Sequence, residues 1–220
     1  MLLLTFCNIS PRDLRFHPLH LILMSLQIVM SLGLYALTLP WHPAIAQGVC
    51  MAALTPTATA AAIQAVSGLT ADDLVLFLLS GGGSALFERP LLPPEELADI
   101  TKQLLACGAD ITEINTLRKR FSAVKGGKFA QLCAPAHVFS IVLSDILGDP
   151  LDMIASGPAY PDSTTSEQAQ AIAKKYDLHL SDLARDLLTR ETPKDLPNAE
   201  SRITGSVRQL CAAYLKMSQI

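Results

Sequence analysis

An α/β fold with a parallel sheet flanked by helices is what the sequence predicts, and three observations carry it. Leu74-Val75-Leu76-Phe77-Leu78-Leu79 is an unbroken apolar run of strand length, apolar on both faces like a buried strand of a parallel sheet. Residues 138–143 (VFSIVL) form a second such run. Between them apolar residues recur at helical spacing, so a helical crossover joins two parallel strands.

The elements follow in order. Residues 1–57 are an atypical apolar segment: from 1 to 71 the only charged side chains are Arg12, Asp13 and Arg15. Residues 19–39 carry no formal charge; as a helix they would be about 31 Å long, close to the roughly 30 Å of a hydrocarbon core. Ala44-Ile45-Ala46 downstream has the small-x-small pattern of a signal-peptidase site, but the run exceeds the usual signal core of about 7–15 residues, so an uncleaved anchor fits better. His20 and Gln27 count against a lipid-facing span, since polar groups in lipid need partners. A buried helix, or misread sequence from a shifted frame or misplaced start, is the alternative, and the misreading is the more economical.

Residues 72–220 have the composition of an ordinary globular domain. Alanine-rich residues 58–66 predict a helix stopped near Gly68. After the first strand comes Ser80-Gly81-Gly82-Gly83-Ser84. Pro93-Pro94-Glu95-Glu96 opens the next helix, with proline and carboxylates in its first turn, and Leu97, Ile100, Leu104 and Leu105 form its apolar stripe. A further helix sets Ile114, Leu117, Phe121 and Val124 on one face until Lys125-Gly126-Gly127-Lys128 interrupts it, and a short helix then runs to about Cys133. Beyond the second strand, residues 166–176 and 182–188 predict helices, and residues 203–210 begin another strand or helix.

The whole-chain composition narrows the function classes. A net charge of −3 over 220 residues excludes a nucleic-acid binder that relies on a basic surface. The five cysteines are scattered, with no CxxC or Cys/His cluster, so neither a zinc site nor a disulfide framework is expected and a reducing compartment is. No Ser/His/Asp or Cys/His arrangement supports a triad hydrolase.

Two polar loops fall where open α/β sheets bind ligands, beyond the carboxyl ends of strands. In Ser80–Ser84, three consecutive glycines bare the backbone N–H groups and permit positive φ, as an anion-wrapping loop requires. It is neither GxxxxGK[ST] nor GxGxxG, and a plain tight turn is the alternative. Lys125-Gly126-Gly127-Lys128 offers two cations and two amides to a phosphate or carboxylate, or is a solvated turn between helices. Of Arg118, Lys119 and Arg120, at most one or two can face a ligand, a charged helix surface being the default for the rest. Asp145 and Asp149 follow the second strand and are candidate Mg²⁺ ligands, or a cap and a turn aspartate. Ser156-Gly157-Pro158 and Pro161-Asp162-Ser163-Thr164 read as ordered loops.

Four segments in order, DDLVLFLLSGGGSALFERP, INTLRKRFSAVKGGKFAQ, IVLSDILGDPLDMIASGPAYPDSTT and RITGSVRQLC, resemble the class II glycerate kinases (glycerate 2-kinases), some of which carry the older label hydroxypyruvate reductase. The resemblance implies a Rossmann-like amino-terminal α/β domain, ATP-dependent phosphorylation of D-glycerate at its 2-hydroxyl with Mg²⁺, and a cytoplasmic location. Carried residue by residue, Ser80, Gly81, Gly82, Gly83, Ser84 and Asn115 would bind phosphate or substrate, Lys125 and Arg118 would be catalytic, and Asp145 and Asp149 would neighbour the metal. Such chemistry suits these residue types, because phosphoryl transfer needs cations, amides and Mg²⁺ around spreading charge.

There are departures. Nothing in residues 1–67 matches the family's Gly-Lys motif, and His42-Pro43 lacks the expected continuation. The carboxy-terminal domain is also expected to be missing, so residues 58–220 are read as part of the amino-terminal domain and activity as impaired. Two other readings stay open. One is a hydroxypyruvate-type oxidoreductase, against which the lack of GxGxxG counts. The other is a non-catalytic fragment that acts only with a partner, or with a membrane if residues 19–39 are genuine.

Overall fold

The computed structural model describes residues 2–6, 58–79, 83–144, 148 and 150–206. The apolar stretch 19–39, the signal-like Ala44–Ala46 and the candidate residues Ser80, Gly81, Gly82, Asp145 and Asp149 lie outside them.

Four strands form one sheet in spatial order β1-β2-β3-β4: β1 Leu2–Phe6, β2 Leu74–Leu79, β3 His137–Ser144 and β4 Ala199–Ser206. β2, β3 and β4 are parallel, with Leu74 opposite His137 and Val138 opposite Ala199. The expected parallel sheet flanked by helices is therefore present. β1, which no sequence pattern singled out, adds an antiparallel edge beside β2.

The β2–β3 crossover holds α2 Gly83–Leu86, α3 Pro94–Ala106, α4 Ile111–Arg120 and α5 Lys128–Cys133; α1, residues 58–65, precedes β2. The β3–β4 crossover holds a 3-10 turn, Ile154–Ser156, then α6 Ser166–Lys175 and α7 Asp182–Thr189. Local chemistry places these boundaries. Asp110 accepts from the Glu113 N–H and the Glu113 carboxylate accepts from the Asp110 N–H, a capping box that starts α4. Thr165 and Gln168 do the same for α6.

Two apolar clusters occur among the described residues. Val75, Phe77, Leu79, Val138 and Val142 from one face of the sheet meet Phe87, Phe129 and Cys133, and the rings of Phe77, Phe87 and Phe129 pack with centroids 5.0–5.6 Å apart. Leu92, Ile100, Leu104, Ile114, Leu117, Phe121 and Leu187 form a second cluster among α3, α4, α6 and α7. Burial alternates along β2 and β3, and Leu143 is exposed. The strands expected to be buried on both faces are thus fully buried on one, because the core of the first cluster lies on that side. Among the described residues no helix is long and apolar enough to cross a membrane.

Candidate functional site

Three segments converge at the carboxyl ends of the parallel strands. α2 follows β2, the 3-10 turn follows β3, and α4 lies beside them. Gly83 and Ser84, expected in a loop, form the first turn of α2. The Ser84 hydroxyl lies 3.5 Å from that of Ser156. Ser156 Oγ in turn donates to Oδ1 of Asn115 at 3.3 Å. Asn115 sits on the face of α4 turned away from Ile114 and Leu117, which the helical cluster takes.

The turn carrying Ser156 is conformationally costly. Ala155, Ser156 and Gly157 have φ of 51°, 61° and 59°, and a non-glycine residue held there stores about 1–3 kcal/mol. Only glycine fits the third position, since a Cβ on Gly157 would lie 2.9 Å from the Asp152 carbonyl oxygen. The turn is held by the Lys125–Lys128 segment. Gly126 N–H donates to Ser156 O at 2.9 Å and Gly127 N–H to Gly157 O at 2.7 Å. The two amides expected to be uncovered are therefore spent on the neighbouring loop.

The flanking cations are also committed. Lys125 is fully buried; its ammonium donates to Ser84 O at 2.6 Å and Phe87 O at 3.2 Å and pairs with Glu88 at 3.4 Å, which occupies all three of its protons. Burial pulls its pKa down, partly offset by Glu88. Lys128 donates to Lys119 O, Arg120 O and Ser122 O, and burial followed by the Arg120 charge lowers its pKa to about 8. A solvated turn is thus excluded for this segment; it braces the loops internally.

The expectation of a charged helix surface fails for two of the three cations ending α4. Lys119 and Arg120 have fully buried side chains, and both pair with Asp162, at 2.9 and 3.3 Å. Asp162 also accepts from the Thr164 N–H and from the hydroxyls of Thr164 and Thr192. Desolvation alone would raise its pKa, but the Thr164 N–H and Lys119 outweigh that and hold it at about 2. Sequence reading saw only a turn at Pro161–Thr164, because nothing local reveals that Asp162 meets cations over 40 residues away.

Arg118 differs. Its side chain is half-buried, it makes no hydrogen bond or ion pair among the described residues, and its charge opposes that of Lys125. It stands three residues after Asn115, so the two share a helix face. Of five cations between 118 and 128, four are spent on the protein itself; of these five, Arg118 alone has no partner for its donors among the described residues. Asn115, Ser84, Ser156 and Arg118 together offer hydroxyls, an amide and a guanidinium to an oxygen-rich anion. Ser156 escaped sequence reading, since Gly157-Pro158 signalled only a turn. No group of three His, Cys, Asp or Glu side chains suited to a metal occurs among the described residues.

A family model described as a domain of unknown function (DUF4147) matches residues 52–189. The chain belongs to this family. A D-glycerate 2-kinase of Thermotoga maritima is 51% identical over 151 residues, covering 68% of this chain and 36% of the relative. A glycerate kinase of Macaca fascicularis is 45% identical over 140 residues, 63% of this chain and 34% of the relative. In the crystal structure of glycerate kinase from Thermotoga maritima the same fold recurs with a TM-score of 0.71 at 47% identity, over 75% of this chain and 40% of that one. The chain thus spans about a third of the length of these curated relatives. The family resemblance read from the four motifs is borne out, as is the α/β fold.

Proposed function

We propose that this chain serves ATP-dependent phosphorylation of D-glycerate at its 2-hydroxyl, in the cytoplasm. The observation that carries the reading is Arg118: a guanidinium with no hydrogen-bond or ion-pair partner among the described residues, three residues after Asn115 on α4, where Asn115 is linked through Ser156 to Ser84. A guanidinium binds a carboxylate through paired N–H donors, so Arg118 with Asn115 suits the glycerate carboxylate. The Ser80–Ser84 segment is assigned to binding the phosphoryl donor, with Ser84 offering an oxygen to the substrate hydroxyl. Kinship with proteins named glycerate kinase supports the same substrate.

In the reaction the 2-oxygen forms a bond to the γ-phosphorus, the bond from that phosphorus to the bridging oxygen breaks, and the hydroxyl proton leaves to a base. Mg²⁺ would neutralise the transferring phosphates, and Asp145 and Asp149 are the carboxylates assigned to it here. Lys125, with every donor filled by Ser84, Phe87 and Glu88, acts as a positioning residue that fixes the backbone around Ser84.

ADP formation measured with ATP, Mg²⁺ and either D-glycerate or no acceptor tests this. Slow D-glycerate-dependent ADP formation, impaired as the sequence implies and lost in Arg118→Ala, is expected. NADH oxidation with hydroxypyruvate and no D-glycerate-dependent ADP would overturn it in favour of the oxidoreductase reading.

A further inference from the structure

We infer that Ser156 is a positioning residue that aims the Asn115 amide at the anionic substrate; this rests on the kinase reading above. Ser156 Oγ donates to Asn115 Oδ1 at 3.3 Å. With its oxygen engaged, the Asn115 amide must present its NH₂ side. Among the described residues that nitrogen has one partner, the Met153 thioether at 3.9 Å, and a thioether is a weak acceptor. One strong donor is therefore left unspent on the same helix face as Arg118. Asn115 is 5% exposed, so a proton donor held there is desolvated and strengthened for an anion that reaches it.

The direction of the amide depends on the hydroxyl proton of Ser156, and that proton depends on the backbone. At φ 61° the serine is held in a conformation that its own side chain disfavours. The hydrogen bonds from Gly126 to Ser156 O and from Gly127 to Gly157 O keep it there. Ser84 Oγ, 3.5 Å from Ser156 Oγ, completes a chain from α2 through the 3-10 turn to α4. A serine whose only task was to make a turn would be better replaced by glycine, as at Gly157. The hydroxyl is the reason for serine here.

Titration calorimetry of the 220-residue chain with D-glycerate, on wild type, Ser156→Ala, Ser156→Gly, Asn115→Ala and Asn115→Ala/Ser156→Ala, separates these roles. Both Ser156 variants should bind about tenfold more weakly, the scale of one lost hydrogen bond to a charged group, although Ser156→Gly should melt at a higher temperature than Ser156→Ala because glycine accepts positive φ. Affinity is thereby uncoupled from stability. In the Asn115→Ala background, loss of the Ser156 hydroxyl should change affinity no further. Wild-type affinity in Ser156→Gly, or a further tenfold loss in the double variant, would overturn the inference while leaving the kinase reading in place. A wild-type chain that takes up no D-glycerate would overturn the kinase reading and this inference with it.

Discussion

Asp162 and Arg118 are opposite uses of charge within one short stretch of structure. Asp162 neutralises two fully buried cations, and Asp162→Ala leaves them only the longer 3.5 Å pairs of Lys119 with Asp152 and of Arg120 with Glu191, so it should cost about 3–5 kcal/mol in chemical denaturation. The pH dependence has a definite sign. The carboxyl is held at about 2 in the fold against 3.8 without it, so its contribution is complete above about pH 4. It is lost as the pH falls from about 4 through about 2, and below that both states are protonated. Denaturant midpoints at pH 5 and pH 2.5 check this, and Asp162→Ala should show a smaller drop between them. Arg118→Ala, in contrast, removes a side chain with no partner among the described residues and should change stability by less than about 0.5 kcal/mol.

At the scale of elements, α4 carries both the helical cluster and the site, so its amino-terminal cap matters to both. Asp110→Ala removes the capping box and should cost about 0.5–2 kcal/mol by denaturant titration, leaving D-glycerate affinity unchanged because Asp110 lies at the far end from Arg118. Elements whose signal is local were readable from sequence. β2 was placed to the residue, and α4 was marked by Ile114 and Leu117, because periodicity and turn residues act within a few positions. β4 begins at Ala199 rather than 203, since its polar, half-exposed residues lack an apolar run. The fates of Lys119, Arg120 and Lys125 were not readable. Each was decided by a partner on a distant segment, Asp162 for the first two and the backbone around Ser84 for the third. A charged run has the same local appearance whether it is solvated or buried against a counter-charge.

Over the whole molecule, two apolar clusters meet along the segment that joins α4 to α5, and the strand-end loops are locked to that seam by backbone hydrogen bonds. Sequestration of the sheet cluster is testable through its thiol. Cys133 is buried, and burial pushes its pKa up to about 12, whereas Cys107 is exposed. Brief alkylation at pH 8 followed by peptide mass spectrometry should find Cys107 modified and Cys133 unmodified until denaturant is added. The most direct measurement of the functional account is calorimetric titration of D-glycerate into the wild-type chain and into Arg118→Ala. Saturable binding by the wild type, weakened at least tenfold in an Arg118→Ala protein of unchanged melting temperature, is the predicted result. Equal affinity in the two proteins, or no binding by a folded wild type, would contradict it.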